Sequence, residues 1–524
     1  MAKPQWVPRG EVLLVAAAML LAGLHASALR GGGAVPMGAD VALWADAALR
    51  VRHGLGVTVP PVYPAAAVLL GSPGGIVLGG LAVSFLSAVL VPVGAYAVAR
   101  ALGAGAWARG CSAIAAALSP DLAAHGAYFG PDALAAVLYA AWFGSLVHPA
   151  GGGWIPVLTA LAVGVREPGL PLACLVAGVG FARPSWIGVS RSRALLVLGG
   201  VALSAVLPGR WPVSLAEAFP ALHKFLPLLA DLACRGDAAY LLDVTAAVPG
   251  PLAHLEDAVR AAYASRLDAL GAPGRVAFNV LHAAVAHADQ LLLAAVGAGG
   301  AWWSSRAAGR PERGRLVLAL FLPLLGTLLA WSQRRHFLPW LALSWAGVAI
   351  ALEALLVSRP VMARRLAVAA ALLALVPALA IGPRARDWAR AREGADAELH
   401  ALGKQIRLAS RDDDFLVVPL GPRLLDPVLL ATAERPVISL DQRLRGALRW
   451  RAVLLLPDTD PAPEGWGAFA EAPGRRAYRY LPEVTDRECL RGAVRGPLGF
   501  GLVPGDNGRG TRVVAGDCAE LPVD

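Results

Sequence analysis

Over the first 383 residues, apolar stretches of span length alternate with short charged loops. A membrane-crossing helix needs roughly 17–25 apolar residues. On that measure the pattern predicts spans near 11–29, 74–99, 104–119, 131–148, 152–166, 168–183, 194–208, 277–304, 315–332, 337–357 and 366–382. With the N-terminus in the cytoplasm, Arg100 and Arg109, then Arg183, Arg191 and Arg193, then Arg306, Arg310, Arg313 and Arg315, then Arg359, Arg364 and Arg365 all fall on the inner side. That is the bias that orients membrane helices. The first apolar run follows Lys3 and Arg9 without a clear cleavage site, so it is expected to stay as the first span. The opposite side receives residues 37–73, 121–131, 166–167, the long loop 209–275, 333–336 and the C-terminal tail.

The first outer loop is more than a linker. Val41, Leu43, Trp44, Ala47, Ala48 and Val51 recur at helical spacing, with Asp40 and Asp46 early and Arg50, Arg52 and His53 late. This charge order suits a helix dipole, and the two-faced pattern predicts a helix lying at the membrane surface. Pro60, Pro61 and Pro64 around Tyr63 predict a rigid turn back into the bilayer. By position, Asp40 reads first as a helix N-cap and second as a catalytic acid.

After Pro383 the pattern changes. Residues 387–407 form a charged helical stretch. Phe415–Pro419, Pro436–Leu440 and Ala452–Leu456 read as short buried strands, with a helix over 423–433 between the first two. The expected organisation is a membrane domain over 1–383, with outer loops 30–73 and 209–275, and an extracytoplasmic α/β domain over 384–524. Fold class is therefore an α-helical polytopic membrane protein of about 11 transmembrane helices with a small C-terminal α/β soluble domain.

Composition agrees: 57% of residues are hydrophobic and 16% charged, beyond ordinary soluble usage. The net charge of +10 is assigned to the inner loops; with no nucleic-acid motif present, nucleic acid is excluded as a partner. The 5 cysteines include no C-x-x-C pair. Cys489 and Cys518 fall in the tail, where a disulfide or two separate thiols are equally compatible with the sequence. Walker, G-x-S-x-G, H-E-x-x-H and dinucleotide-binding motifs are absent. No cofactor is called for, and a divalent metal is left open.

Four outer-side features carry candidate chemistry. They are Asp40 with Asp46; the junction Ser119–Asp132 with Asp121, His125, Tyr128 and Asp132; Arg166 with Glu167 inside an apolar hairpin; and Arg334, Arg335 and His336 between two spans. Each has a bland reading: an N-cap, a solvated loop, an internal ion pair, an interfacial charge cluster. Ionisable groups at membrane depth nevertheless tend to line cavities, guanidinium is a preferred phosphate partner, and all four features lie on one side.

In feature order, the chain resembles the multi-spanning C-type glycosyltransferase (GT-C) superfamily. Its bacterial members include protein O-mannosyltransferase-like (family 39-like), aminoarabinose-transferase-like and arabinofuranosyl- or mannosyltransferase-like enzymes. The resembling residues are the run Asp40–Gly54, Pro61-Val-Tyr-Pro64, Ala99-Arg-Ala-Leu-Gly103, Ser119-Pro120, Asp132, Leu161–Gly169 and Arg335-His-Phe-Leu-Pro339. The resemblance implies an inverting transfer of a sugar from a polyprenyl-phosphate donor to a lipid, glycan or protein hydroxyl on the outer face of a bacterial inner membrane. It implies Asp40 as catalytic base and Asp132 as a second acid. Arg335, His336, Arg334 and Arg166 would form the donor-phosphate contacts, and Tyr63, Asp46, Glu167 and His125 would line the substrate cavity. Two departures stand out: Val41 follows Asp40 where an acid is common, and the hairpin reads Arg166-Glu-Pro rather than Arg-Pro-Glu. The competing readings are a transporter or flippase of polyprenyl-linked sugars, which would carry polar residues through to the inner half, and a non-catalytic sugar- or lipid-binding scaffold.

Overall fold

The computed structural model describes residues 8–29, 39–53, 57, 59–71, 75–166, 168–205, 271–330, 334–358, 361, 365, 397–410, 414–418, 427–439, 452–456, 466–472, 475–480, 501–504 and 511–514. Glu167, most of the loop 209–275, the expected span 366–382, Cys489 and Cys518 lie outside these residues. The chain divides into two compact units. The first comprises Met1–Pro36, Leu81–Leu207 and Pro212–Ala389; the second comprises Met37–Gly80, Pro208–Trp211 and Arg390–Asp524. The first outer loop thus clusters with the C-terminal region.

The first unit is helical: α1 (Arg9–Leu29), then, after the second unit's α2 (Ala39–Arg52) and α3 (Val62–Gly71), α4 (Ile76–Leu102), α5 (Ala106–Ala117), α6 (Pro120–Gly126), α7 (Asp132–Val147), α8 (Ile155–Val165), α9 (Gly169–Ala182), α10 (Pro184–Ile187), α11 (Arg191–Ser204), α12 (Gly271–Ala286), α13 (Ala288–Ala307), α14 (Pro311–Ala330) and α15 (Leu341–Ser358). Among the described residues, three helical segments are long and apolar enough to cross a membrane: Arg9–Leu29, Ile76–Leu102 and Arg335–Val357. The expected span 277–304 is not one straight helix. It breaks at His287, where α12 and α13 meet at 93°. Counting that pair as one span gives four, and other expected spans appear as shorter helices. Leu13, Leu20 and Leu24 on α1 and Leu78, Leu86 and Leu90 on α4 stay exposed, as befits helices whose outer solvent is lipid.

Hydrogen bonds show which helix ends share a level. Arg109 of α5 donates to Glu11 of α1 at 3.1 Å. Arg313 of α14 donates to the Ala101 carbonyl at 2.5 Å. The Gly105 N–H meets Glu353 of α15 at 2.9 Å. Arg193 of α11 caps the end of α7 through the Leu146 and His148 carbonyls at 2.5 and 2.9 Å, and Arg315 lies over the Trp186 ring at 6.0 Å. The Arg-rich loops 100–109, 183–193 and 306–315 therefore gather at one end. Exposed Trp107, Trp154, Trp186 and Trp303 sit at these helix ends, the position of interfacial aromatic anchors. α1, α4 and α7 run from here to the other end. There Leu29 packs on Ala123 and Ala127, and Ser84 donates to the Gly130 carbonyl at 3.1 Å.

The second unit holds α2, α3, a helix over 397–409, α16 (Pro427–Ala433) and a five-stranded sheet. Its strands are β1 (Phe415–Val418), β2 (Val437–Ser439), β3 (Ala452–Leu456), β4 (Trp466–Ala472) and β5 (Arg475–Tyr480), in the order β2-β1-β3-β5-β4. β1 pairs parallel to β2 (Leu416 opposite Val437) and to β3; β3–β5 and the β4–β5 hairpin are antiparallel. A further hairpin joins β6 (Gly501–Pro504) and β7 (Thr511–Val514). The three expected strands and the helix between the first two are present; β4 to β7 are additions. The surface-lying helix expected over Asp40–His53 is a different object. Every residue from Trp44 to Arg50 is buried, because the charged side of α2 is paired within its own unit.

Glycines let α13 and α15 cross with backbones nearly touching. A Cβ on Gly347 would run into the Gly297 carbonyl, and one on Gly300 into the Gly347 carbonyl, the small-residue packing familiar from membrane helices. Gly347→Val is expected to destabilise the detergent-solubilised protein by about 1–3 kcal/mol, the usual range for overpacking. Gly299→Ala, at a position facing open space, should change its thermal melting little.

Candidate functional site

In the first unit, charge collects at the end remote from the Arg-rich loops, and local structure explains each placement. Ser119 caps α6 by accepting from the Leu122 N–H at 3.5 Å, with Pro120 in the first turn. This turn buries Asp121 and His125. Asp132 opens α7, and Arg166 ends α8; an acid at a helix N-terminus and a base at a C-terminus each suit the dipole. The two meet: an Arg166 Nη2–H donates to Asp132 Oδ1, with both side chains buried. His125 Nδ1 lies 3.6 Å from the other Asp132 oxygen, and the Tyr128 ring stands edge-on to His125 at 5.5 Å. The Asp121 carboxylate accepts a hydrogen bond from Gln290, in the first turn of α13.

The break at His287 turns the start of α13 toward α6. The His287 ring stands edge-on to His282 and tilted against Phe337, each at 5.8 Å. Phe337 belongs to a 3-10 turn, Arg334–Trp340, that packs against α6, α7 and α13. Trp340 anchors this turn by donating to the Leu320 carbonyl at 2.6 Å and standing edge-on to Tyr139 at 5.7 Å. Arg335 is thereby buried at the same end, with His336 half-buried. Of the expected residues, the structure brings Asp132, Arg166 and His125 into direct contact and carries Arg335 and His336 to the same end. For Arg334 only the backbone is described. Gln290 and His287 were missed; their signal is a polar run, His287-Ala-Asp-Gln290, inside an otherwise apolar stretch.

In the second unit, Asp40 lies in the first turn of α2, and its side chain is outside the described residues. Tyr63 is fully buried: it donates to the Gly80 carbonyl at 3.0 Å and stands edge-on to Trp44 at 5.9 Å. Asp46 is buried and both its oxygens are engaged, one by Arg50 Nε at 2.7 Å and one by the Val437 N–H at 2.7 Å. Asp46 and Tyr63 thus stand as packed, hydrogen-bonded groups. Among the described residues, no group of three or more His, Cys, Asp or Glu side chains is arranged to hold a metal ion.

Neither protein-family profiles nor curated sequences match the chain. Solved structures do. ArnT from Cupriavidus metallidurans, bound to undecaprenyl phosphate, superposes with a TM-score of 0.52 at 14% identity, over 89% of this chain and 97% of that one. Its apo state gives 0.50 at 16% identity over the same shares. The Archaeoglobus fulgidus oligosaccharyltransferase tethered to an acceptor peptide with an NVT sequon gives 0.50 at 13% identity, over 81% of this chain and 64% of that one. The chain therefore spans just under two thirds of the archaeal protein's length. At such identities the likeness is one of fold, shared with ArnT and with the archaeal oligosaccharyltransferase.

Proposed function

We propose that the protein is an integral membrane glycosyltransferase that moves a sugar from a polyprenyl-phosphate donor to the hydroxyl of a lipid, glycan or protein acceptor. The observation that carries this reading is the fold shared with ArnT over nearly the whole of both chains. The buried Asp132–Arg166 pair and Arg335 at one end of the helical unit supply the matching chemistry.

A sugar on a lipid phosphate is already activated, because phosphate is a good leaving group. The acceptor oxygen attacks the anomeric carbon from the opposite side and forms the new C–O bond. The old C–O bond breaks, and its electron pair leaves with the polyprenyl phosphate, so the anomeric centre inverts. Two tasks fall to the protein. A carboxylate takes the acceptor proton, the role assigned to Asp40. Guanidinium groups offset the charge growing on the departing phosphate, the role assigned to Arg166 and Arg335, with His336 and Arg334 alongside. Asp132 acts through Arg166, whose guanidinium it holds in place. His125 bears on the same carboxylate. Placing the reaction and the C-terminal domain outside a bacterial inner membrane follows from the Arg-rich loops.

Purified membranes given a panel of labelled polyprenyl-phosphate sugars should transfer label to an acceptor; transfer from no member of the panel would overturn the reading. Asp40→Asn keeps size and capping ability but takes no proton, so turnover should fall about 10²–10⁴-fold with donor affinity preserved. Arg335→Ala should weaken donor binding instead. Full turnover in Asp40→Asn would move the base elsewhere. A C-terminal reporter active only in the cytoplasm should stay dark, and a bright signal would reverse the topology.

A further inference from the structure

Helix α2 is bound to the C-terminal α/β region by a set of contacts that converge on four residues, Glu434–Val437. β2 is an edge strand. Its inner side is satisfied by β1, where the Leu416 N–H donates to the Pro436 carbonyl at 2.8 Å. Val437 turns its backbone groups the other way, and there they meet side chains rather than a sixth strand. The Val437 N–H donates to Asp46 at 2.7 Å, and its carbonyl accepts from Arg50 Nη2 at 2.6 Å. Arg50 Nε closes the set by donating to Asp46 at 2.7 Å. One Asp–Arg pair, a single helical turn apart, thus imitates the donor–acceptor pattern of a neighbouring strand at the edge of the sheet.

A second contact lies beside it. Glu434 has φ +49°, a left-handed conformation usually left to glycine after a helix. Such conformations persist only where surroundings hold them. Here the buried Glu434 carboxylate meets Arg52 of α2 at 3.7 Å and Arg407 at 3.2 Å. It also lies so close to Gly75, itself at φ +93°, that a Cβ there would strike it. The next residue, Arg435, is locked by Ser410, Arg407 and Glu434 backbone and side-chain oxygens at 2.9–3.2 Å. Three charged residues from the second half of α2 are therefore committed to one rigid segment of the α/β region.

We propose that Asp46, Arg50 and Glu434 are positioning residues: the α/β region aims the N-terminal turn of α2, and so Asp40, by holding the helix at its far half. Asp46 lies six residues from Asp40, or about 9 Å along the axis at 1.5 Å per residue, so a rigid helix transmits this hold directly. The inference rests on the role of Asp40 proposed above. It makes the C-terminal region part of the catalytic apparatus instead of an appendage.

The test uses the full-length protein in lipid nanodiscs, with two readouts on Arg50→Ala, Asp46→Ala and Glu434→Gly. Hydrogen exchange of peptides covering 39–52 should speed up at least about tenfold, with peptides from α4, α7 and α13 unchanged. Turnover should fall at least about tenfold at unchanged donor KM, and Asp46→Asn, which can still accept from the Val437 N–H, should recover part of it. Unchanged exchange in 39–52 would remove the clamp. Faster exchange with full turnover would reduce it to a structural contact, and a matching rise in donor KM would point to a binding role instead. If the wild type transfers no sugar, the glycosyltransferase reading fails while the exchange result still decides whether the clamp exists.

Discussion

A carboxylate removed from water must find a cation or a set of donors, or lose its charge, and that demand organises the structure. Asp132 is met by Arg166 and His125, Asp121 by Gln290, Asp46 by Arg50 and the Val437 N–H, and Glu434 by Arg52 and Arg407. In every case a partner comes from a different element from the acid. Breaking a buried pair such as Asp132–Arg166 by removing one member costs about 3–5 kcal/mol, so the ends of α7 and α8 are tied to each other. Where the helices do pack closely, glycine supplies the fit, as Gly297, Gly300 and Gly347 do between α13 and α15.

The same demand separates groups available for chemistry from groups already committed. Asp46 has both oxygens occupied and Tyr63 is fully buried against Trp44 and the Gly80 carbonyl, which suits them to shape α2 and α3. In the helical unit, Asp132 holds Arg166 at the end of α8. The break between α12 and α13 serves this end as well: it lets His287 reach Phe337 and Gln290 reach Asp121, interactions that a straight span at this position would not make with the same side chains.

Hydropathy and charge bias were enough to read a polytopic helical protein, the ends of α1 and α4 to within a few residues, and the strands β1, β2 and β3, because each is written in local periodicity. The antiparallel hairpin of β4 and β5 escaped this reading. Its run Trp466-Gly-Ala-Phe-Ala-Glu-Ala472 is small-residue rich and carries little alternation, and only pairing along β3 makes it a strand. The break at His287 also escaped, since the polar run His287-Ala-Asp-Gln290 marks buried polar groups without saying that the helix bends there.

Candidate chemistry divides in the same way. That Asp132, Arg166, His125 and Arg335 are candidates was legible from where charge interrupts apolar sequence, because burying charge is costly enough to need a reason. Which partner each one takes was not, since Asp132 and Arg166 are 34 residues apart and Asp46 and Val437 are 391 apart. The sequence by itself determined the membrane class, the grouping of the Arg-rich loops and the existence of an α/β tail, all consequences of local composition. Only the tertiary structure decided that α2 clusters with the tail, that Asp46 is spent on an edge strand, and that Asp132 and Arg166 form a pair, because those facts depend on long-range burial that no local pattern encodes.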